Sequence, residues 1–274
     1  AYRDGAGTVL GLTGPPGVGK STLIDALIRQ ARGAGQSIAV IAVDPSSRRS
    51  GGALLGDRTR LTTDPEDQGV FVRSMAARDR LGGVADVTFP ASVLMRAVFD
   101  LVIVETVGVG QSETQIADIA DCVAFCAQPG SGDALQYMKA GVMEIPDLVL
   151  VTKGDLGQLA DRTLADLKGA LSLTAPGDVP PEILRVSAQT GLGLDETFAW
   201  IAAQATQPGA VRADRRRAQA HLWGSRQVRE RFGSAGLSLL EQSGPRLDPA
   251  VPFASAAICA AWLTARLFGD IQAD

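Results

Sequence analysis

Two stretches carry residues suited to phosphate and base chemistry. Gly14-Pro15-Pro16-Gly17-Val18-Gly19-Lys20-Ser21 fits the pattern G-x-x-x-x-G-K-[ST]. Glycines at these places let backbone N–H groups curl round a phosphate, and a helix opening at Lys20 adds positive potential. Lys20 would reach the β- and γ-phosphates, and the Ser21 hydroxyl would hold Mg²⁺. Thr22 continues the same turn. The second stretch, Thr152-Lys153-Gly154-Asp155, follows the apolar run DLVLV and matches [NT]-K-x-D, the guanine reader of many GTP-binding proteins. A carboxylate there accepts hydrogen bonds from N1–H and the 2-amino group of guanine, donors that adenine lacks. The stem of Lys153 can cover a base face. Ser187-Ala188-Gln189 resembles the S-A-x loop that closes over such a base.

Acids recur where a triphosphate and its metal would lie. Asp44 ends one apolar run, Asp57 follows in Gly56-Asp57-Arg58, and Glu105 ends another run in Glu105-Thr106-Val107-Gly108. Mg²⁺ takes one or two protein carboxylates beside phosphate oxygens and water. Asp44, Asp57 and Glu105, with Ser21, are therefore the metal or water-orienting candidates. A backbone N–H at Gly108 could approach the γ-phosphate and order its loop on the triphosphate.

The elements that must position these residues alternate. Apolar, β-rich runs near 8–13, 37–43, 70–74, 100–106, 121–127, 147–153 and 182–188 read as strands. Amphipathic segments near 20–32, 91–98, 157–173 and 194–203 read as helices between them. This pattern predicts an α/β fold, a P-loop NTPase whose mainly parallel sheet is flanked by helices. In such sheets ligands bind at the carboxyl ends of the strands. Residues 1–204 form this nucleotide domain. Residues 205–274 read as a helical appendage: a basic helix through Arg212–Arg231, interrupted at Gly224, and an apolar one after Pro252.

Composition narrows the class. The chain has 274 residues, 46% of them hydrophobic and 20% charged, enough for a full core. A net charge of −4 argues against a general nucleic-acid binder. The basic run is read as a solvated helix face. No stretch is apolar enough for a membrane span, and AYRDGAG has no apolar h-region, so a cytoplasmic location is expected. The single histidine, His221, is too little for a His-rich metal site. Cys122 and Cys126 sit in a strand and read as core thiols. Of the 26 basic residues only four are lysines, and Lys20, Lys153 and Lys139 fall in or near the motifs. A compact ammonium is kept where a site needs one, and arginine serves elsewhere.

The motif set as a whole resembles the MeaB/MMAA family of GTPases over roughly residues 5–205. It includes D-P-S-S, S-G-G-x-x-L-G-D-x-T-R, L-G-G at 81–83, E-T-V-G-V-G-Q-S-E, G-D-x-L-Q-x-x-K and T-K-G-D. The resemblance implies a SIMIBI-class GTPase binding GTP and GDP with Mg²⁺, with slow intrinsic turnover. It implies a chaperone of adenosylcobalamin-dependent acyl-CoA mutases such as methylmalonyl-CoA mutase, with an adenosyltransferase as a second partner, dimerising through C-terminal helices. Asp44, Asp57 and Glu105 become its acidic nucleotide and metal residues, and Lys139, in a further switch segment with Gln136, a catalytic one that responds to the mutase. Thr152 stands where that family usually has Asn. Two other chemistries share the phosphate loop: a nickel-insertion metallochaperone, which would want His or Cys ligands, and a small-molecule kinase, which would want a phosphoacceptor site.

Overall fold

The structure, a computed structural model, describes residues 7–44, 61, 63–64, 66–76, 87–106, 115–130, 145–171, 180–206 and 209–269. Seven parallel strands form one sheet: β1 (Thr8–Thr13), β2 (Ile38–Asp44), β3 (Val70–Ala76), β4 (Leu101–Thr106), β5 (Cys122–Ala127), β6 (Leu148–Val151) and β7 (Glu182–Arg185), in the order β3-β2-β4-β1-β5-β6-β7. Six helices are described: α1 (Lys20–Gly33), α2 (Thr88–Met95), α3 (Gln158–Leu171), α4 (Leu194–Ala205), α5 (Gly209–Ser243) and α6 (Pro252–Phe268). From β1 the chain moves toward β2, and from β4 it crosses to β5. The carboxyl ends of β1 and β4 therefore flank the crevice where open α/β sheets bind ligands.

The strands are apolar along their whole length because both sheet faces are covered. On β5, Cys122, Ala124 and Cys126 pack with Leu23, Ile24 and Leu27 of α1, while the alternating Phe125 and Ala127 pack with Ala160 and Leu167 of α3. On β6, Leu148 and Leu150 join the first cluster and Val149 and Val151 the second.

Acids at the amino ends of strands do structural work. Asp121 accepts from the Val9 N–H at 2.9 Å, Asp147 from Val123 N–H at 2.8 Å, and Asp100 from both the N–H and hydroxyl of Ser37. Those donors hold the Asp100 carboxyl below the usual carboxylate range.

Several boundaries differ from the periodicity. α2 starts at Thr88 rather than Ala91, because Pro90 falls in the first turn, where a missing N–H costs nothing. β6 and β7 stop short of the expected ends, at Val151 and Arg185, as the chain turns into the loops described below.

Residues to Gln207 and from Pro208 form two compact units. In the second, α5 and α6 pack through Val228, Leu237, Leu240, Cys259 and Leu263. Trp223 meets Phe253 edge to face, with centroids 5.1 Å apart. The expected interruption at Gly224 is not there. Gly224 is helical and buried, and a Cβ would come 3.1 Å from Leu247. The break falls at Gly233, which has φ 70°. Arg215, Arg217, Arg229 and Arg231 are exposed as expected, but Arg216 is buried. Among the described residues no helix is long and apolar enough to cross a membrane.

Phe125 is 1% exposed at the centre of the sheet. Phe125→Ala is expected to cost about 3–5 kcal/mol in denaturant unfolding; a loss under about 1 kcal/mol would contradict this packing.

Candidate functional site

The phosphate-loop motif occupies the turn from β1 into α1, as expected. Gly14, Gly17 and Gly19 have φ of 139°, 76° and 104°, conformations that side chains rarely adopt. Gly14 is limited by space as well: a Cβ there would sit 2.5 Å from the Cys126 carbonyl oxygen. Val18 is fully buried under the loop. Ser21 is half-buried in the first turn of α1, and Thr22, Pro16 and Gly17 are exposed. The Lys20 ammonium is drawn into the mouth of the loop, donating to Gly14 O at 2.7 Å and Pro15 O at 3.1 Å.

Glu105 is 7% exposed near the end of β4 and pairs in register with Leu12, two residues before Gly14. Lys20 and Glu105 both act on the buried Cys126 thiol. Burial pushes it up to about 12, the ammonium opposing and the carboxylate adding to the rise. This thiol is a packed neutral group. Asp44 is the last residue of β2 and lies beyond the Val43–Thr106 pair, at the same sheet edge. Asp57, Gly108 and Lys139 lie outside the described residues.

The base-side residues converge on the same loop. A cavity of about 210 Å³ brings Val18, Gly19 and Thr22 together with Thr152, Lys153 and Asp155 and with Ser187, Ala188 and Gln189. Thr152 is buried, and its hydroxyl faces Val18 O at 2.8 Å and Ala127 O at 3.1 Å. Lys153 adopts φ 50° and ψ 39°. It is the one positive-φ residue other than glycine among those described. Such a backbone costs about 1–3 kcal/mol and is held by its surroundings. Here the Lys153 ammonium donates to Gly17 O and to Gln128 Oε1, both at 3.1 Å. Asp155 is exposed to the cavity. The Ser187 hydroxyl, then its own backbone N–H, hold its carboxyl below the usual range. Ser187 is itself fixed, with its N–H donating to Leu192 O at 2.8 Å.

Two participants carry no motif signal. Gln128 follows β5 and receives Lys153. Arg185 ends β7 and grips the base loop from behind, donating from Nε to Gly154 O at 2.6 Å. Only the three-dimensional neighbourhood reveals either one.

A parallel sheet of this order, with a glycine phosphate loop after β1 and a base pocket after β6 and β7, defines the P-loop GTPase class. Residues 1–238 match the family described as methylmalonyl-CoA mutase-associated GTPase MeaB, and the chain belongs to that family. It is 47% identical over 196 residues to a Pyrococcus horikoshii protein named as a GTPase, covering 69% of this chain and 61% of that one. It is 41% identical over 194 residues to the mouse methylmalonic aciduria type A homolog, mitochondrial, covering 69% of this chain and 47% of that one. The chain thus spans about half to three fifths of the length of these relatives. Among solved structures, the LAO/AO transport system kinase matches with a TM-score of 0.62 and 27% identity, over 92% of this chain and 81% of that one. HypB from Helicobacter pylori, in complex with nickel, matches with a TM-score of 0.57 over 75% of this chain and 90% of that one. At 19% identity this likeness is one of fold alone.

Thr152→Val keeps the shape but leaves Val18 O without its hydroxyl donor. It is expected to destabilise the fold by about 1–2 kcal/mol in denaturant unfolding; an unchanged midpoint would contradict the tie.

Proposed function

We propose that this protein binds GTP with Mg²⁺ and hydrolyses it to time its assistance to an adenosylcobalamin-dependent acyl-CoA mutase. The observation carrying the nucleotide part is the single cavity that joins the phosphate loop to Asp155 and Ser187. In this reading the loop from Gly14 to Thr22 cradles the phosphates, with Lys20 on the β- and γ-oxygens. Thr152, Lys153 and Asp155, with Ser187, Ala188 and Gln189, enclose the guanine. Water attacks the γ-phosphorus, its bond to the β–γ bridging oxygen breaks, and GDP and phosphate leave. The Lys20 ammonium meets the negative charge that spreads onto the phosphate oxygens.

The donor set suits magnesium. The Ser21 hydroxyl, in the first turn after the phosphate loop, and the Glu105 carboxylate, near the end of β4, would offer hard oxygen ligands. We assign them to the ion with Asp44 and Asp57. Bound there, Mg²⁺ would neutralise phosphate charge. Gly108 would approach the γ-phosphate, and Lys139 would respond to the mutase.

The mutase itself is inferred from family membership, since the matching family is named for association with methylmalonyl-CoA mutase. An adenosyltransferase as a second partner, a homodimer through residues 205–274, and a cytoplasmic location with neither nucleic acid nor membrane as partner complete the proposal. The nickel-insertion alternative draws no support from the ligands at hand: all three cysteines are buried and His221 lies exposed on α5. A kinase reading is decided by whether the γ-phosphoryl group goes to water or to a small acceptor.

The mutase role is tested by adding an acyl-CoA mutase during GTP turnover. Acceleration of about tenfold or more is expected from completing charge stabilisation at the phosphates; unchanged turnover with every acyl-CoA mutase of the source organism would overturn the chaperone role. Lys20→Ala is expected to abolish nucleotide binding, and retained affinity would remove the phosphate-loop assignment. Because the Asp155 pKa is depressed, its protonation comes only below the ordinary value of about 3.9. GTP affinity should therefore show no Asp155-dependent loss between pH 7 and 5. A decline in that range that disappears in Asp155→Asn would contradict the assignment.

A further inference from the structure

Arg185 lies two residues before the Ser187 that supports Asp155. Its guanidinium makes two contacts on different elements. Nε donates to Gly154 O at 2.6 Å, and Nη1 donates to Asp161 Oδ1 on α3 at 2.5 Å. The Arg185 side chain is 29% exposed and that of Asp161 60%, so the fork is partly buried at Gly154 and open to solvent at Asp161. Gly154 is held at its other end too, its N–H donating to Val186 O at 2.9 Å. A Cβ on Gly154 would come 2.7 Å from Arg185 Cγ and 3.1 Å from Val186 O. The third position of T-K-G-D is therefore glycine because Arg185 crosses behind it. Three consecutive residues, 185 to 187, grip the base loop: Arg185 the Gly154 carbonyl, Val186 the Gly154 N–H, Ser187 the Asp155 carboxylate.

We propose that Arg185 is a positioning residue for guanine selectivity, fixing the Gly154–Asp155 peptide between β7 and α3 so that both carboxylate oxygens of Asp155 face the base edge. This rests on the reading of Asp155 as the guanine acceptor. Two parallel hydrogen bonds, to N1–H and the 2-amino group, need the carboxylate plane aligned; a rotated carboxylate keeps one and loses the other. A planar guanidinium presents Nε and Nη1 to a carbonyl and a carboxylate at a fixed spacing, whereas an ammonium's donors all radiate from one rotatable nitrogen.

Arg185→Met, Arg185→Lys and Asp155→Asn are compared with the unaltered chain by equilibrium titration with GDP and with IDP, whose base keeps N1–H but lacks the 2-amino group. Thermal melting checks that each variant is folded. In Arg185→Met, GDP is expected to weaken about tenfold and IDP by only about twofold, so that the preference for GDP falls. Arg185→Lys should recover less than half of that preference. Equal weakening of both nucleotides, or an unchanged preference, would overturn the role of Arg185. If Arg185→Met does not fold, Asp161→Asn decides. Loss of the outer anchor should lower the GDP preference about twofold, and no change would overturn the proposal. Should Asp155→Asn bind GDP as the unaltered chain does, the guanine reading itself fails, whatever Arg185 does.

Discussion

Four carbonyl groups in the phosphate loop set the terms for this site. Gly14, Pro15, Gly17 and Val18 adopt backbone conformations that belong to no helix or strand; the Gly14, Pro15 and Val18 oxygens are bonded in buried or partly buried surroundings, that of Gly17 at the exposed rim. Unpaired polar groups there would be costly. Lys20 serves Gly14 and Pro15, Lys153 serves Gly17, and Thr152 serves Val18. The residues that satisfy the loop are thus the residues of the nucleotide motifs. The tie from Val18 to Thr152 joins β1 to the end of β6 and the phosphate side of the cavity to its base side. The Thr152 hydroxyl supplies the buried donor that the loop takes at this point.

Position along a strand separates two uses of the same acid. At the amino ends, Asp100, Asp121 and Asp147 satisfy backbone N–H groups of neighbouring strands that the parallel ladder leaves over. At the carboxyl ends, Glu105 is level with Leu12, just before the phosphate loop, and Asp44 ends β2 on the same side of the sheet. A parallel sheet gathers all its carboxyl ends on one side, so chemistry collects there and amino-end acids are free to be structural.

Much of this was legible in the sequence. The strands were, because burial on both faces leaves continuous apolar runs, and so were the two motifs, whose glycines, lysines and acids keep fixed spacings. Arg185 and Gln128 were not. Each acts on a loop that is distant in sequence, at residues 154 and 153, and neither spacing nor composition encodes such a contact. The position of the helix break is hidden in the sequence for a related reason. Gly224 and Gly233 look alike in a basic run, but Gly224 is glycine to let Leu247 approach, and Gly233 is glycine for its positive φ.

In the proposed reading, phosphate loop and base loop form one guanine-nucleotide site. Calorimetric titration of the unaltered protein with GDP and with ADP tests it most directly. GDP is expected to bind at least about a hundredfold more tightly, since adenine lacks the N1–H and 2-amino donors that Asp155 would accept from. Comparable affinities for GDP and ADP would contradict a guanine-reading site.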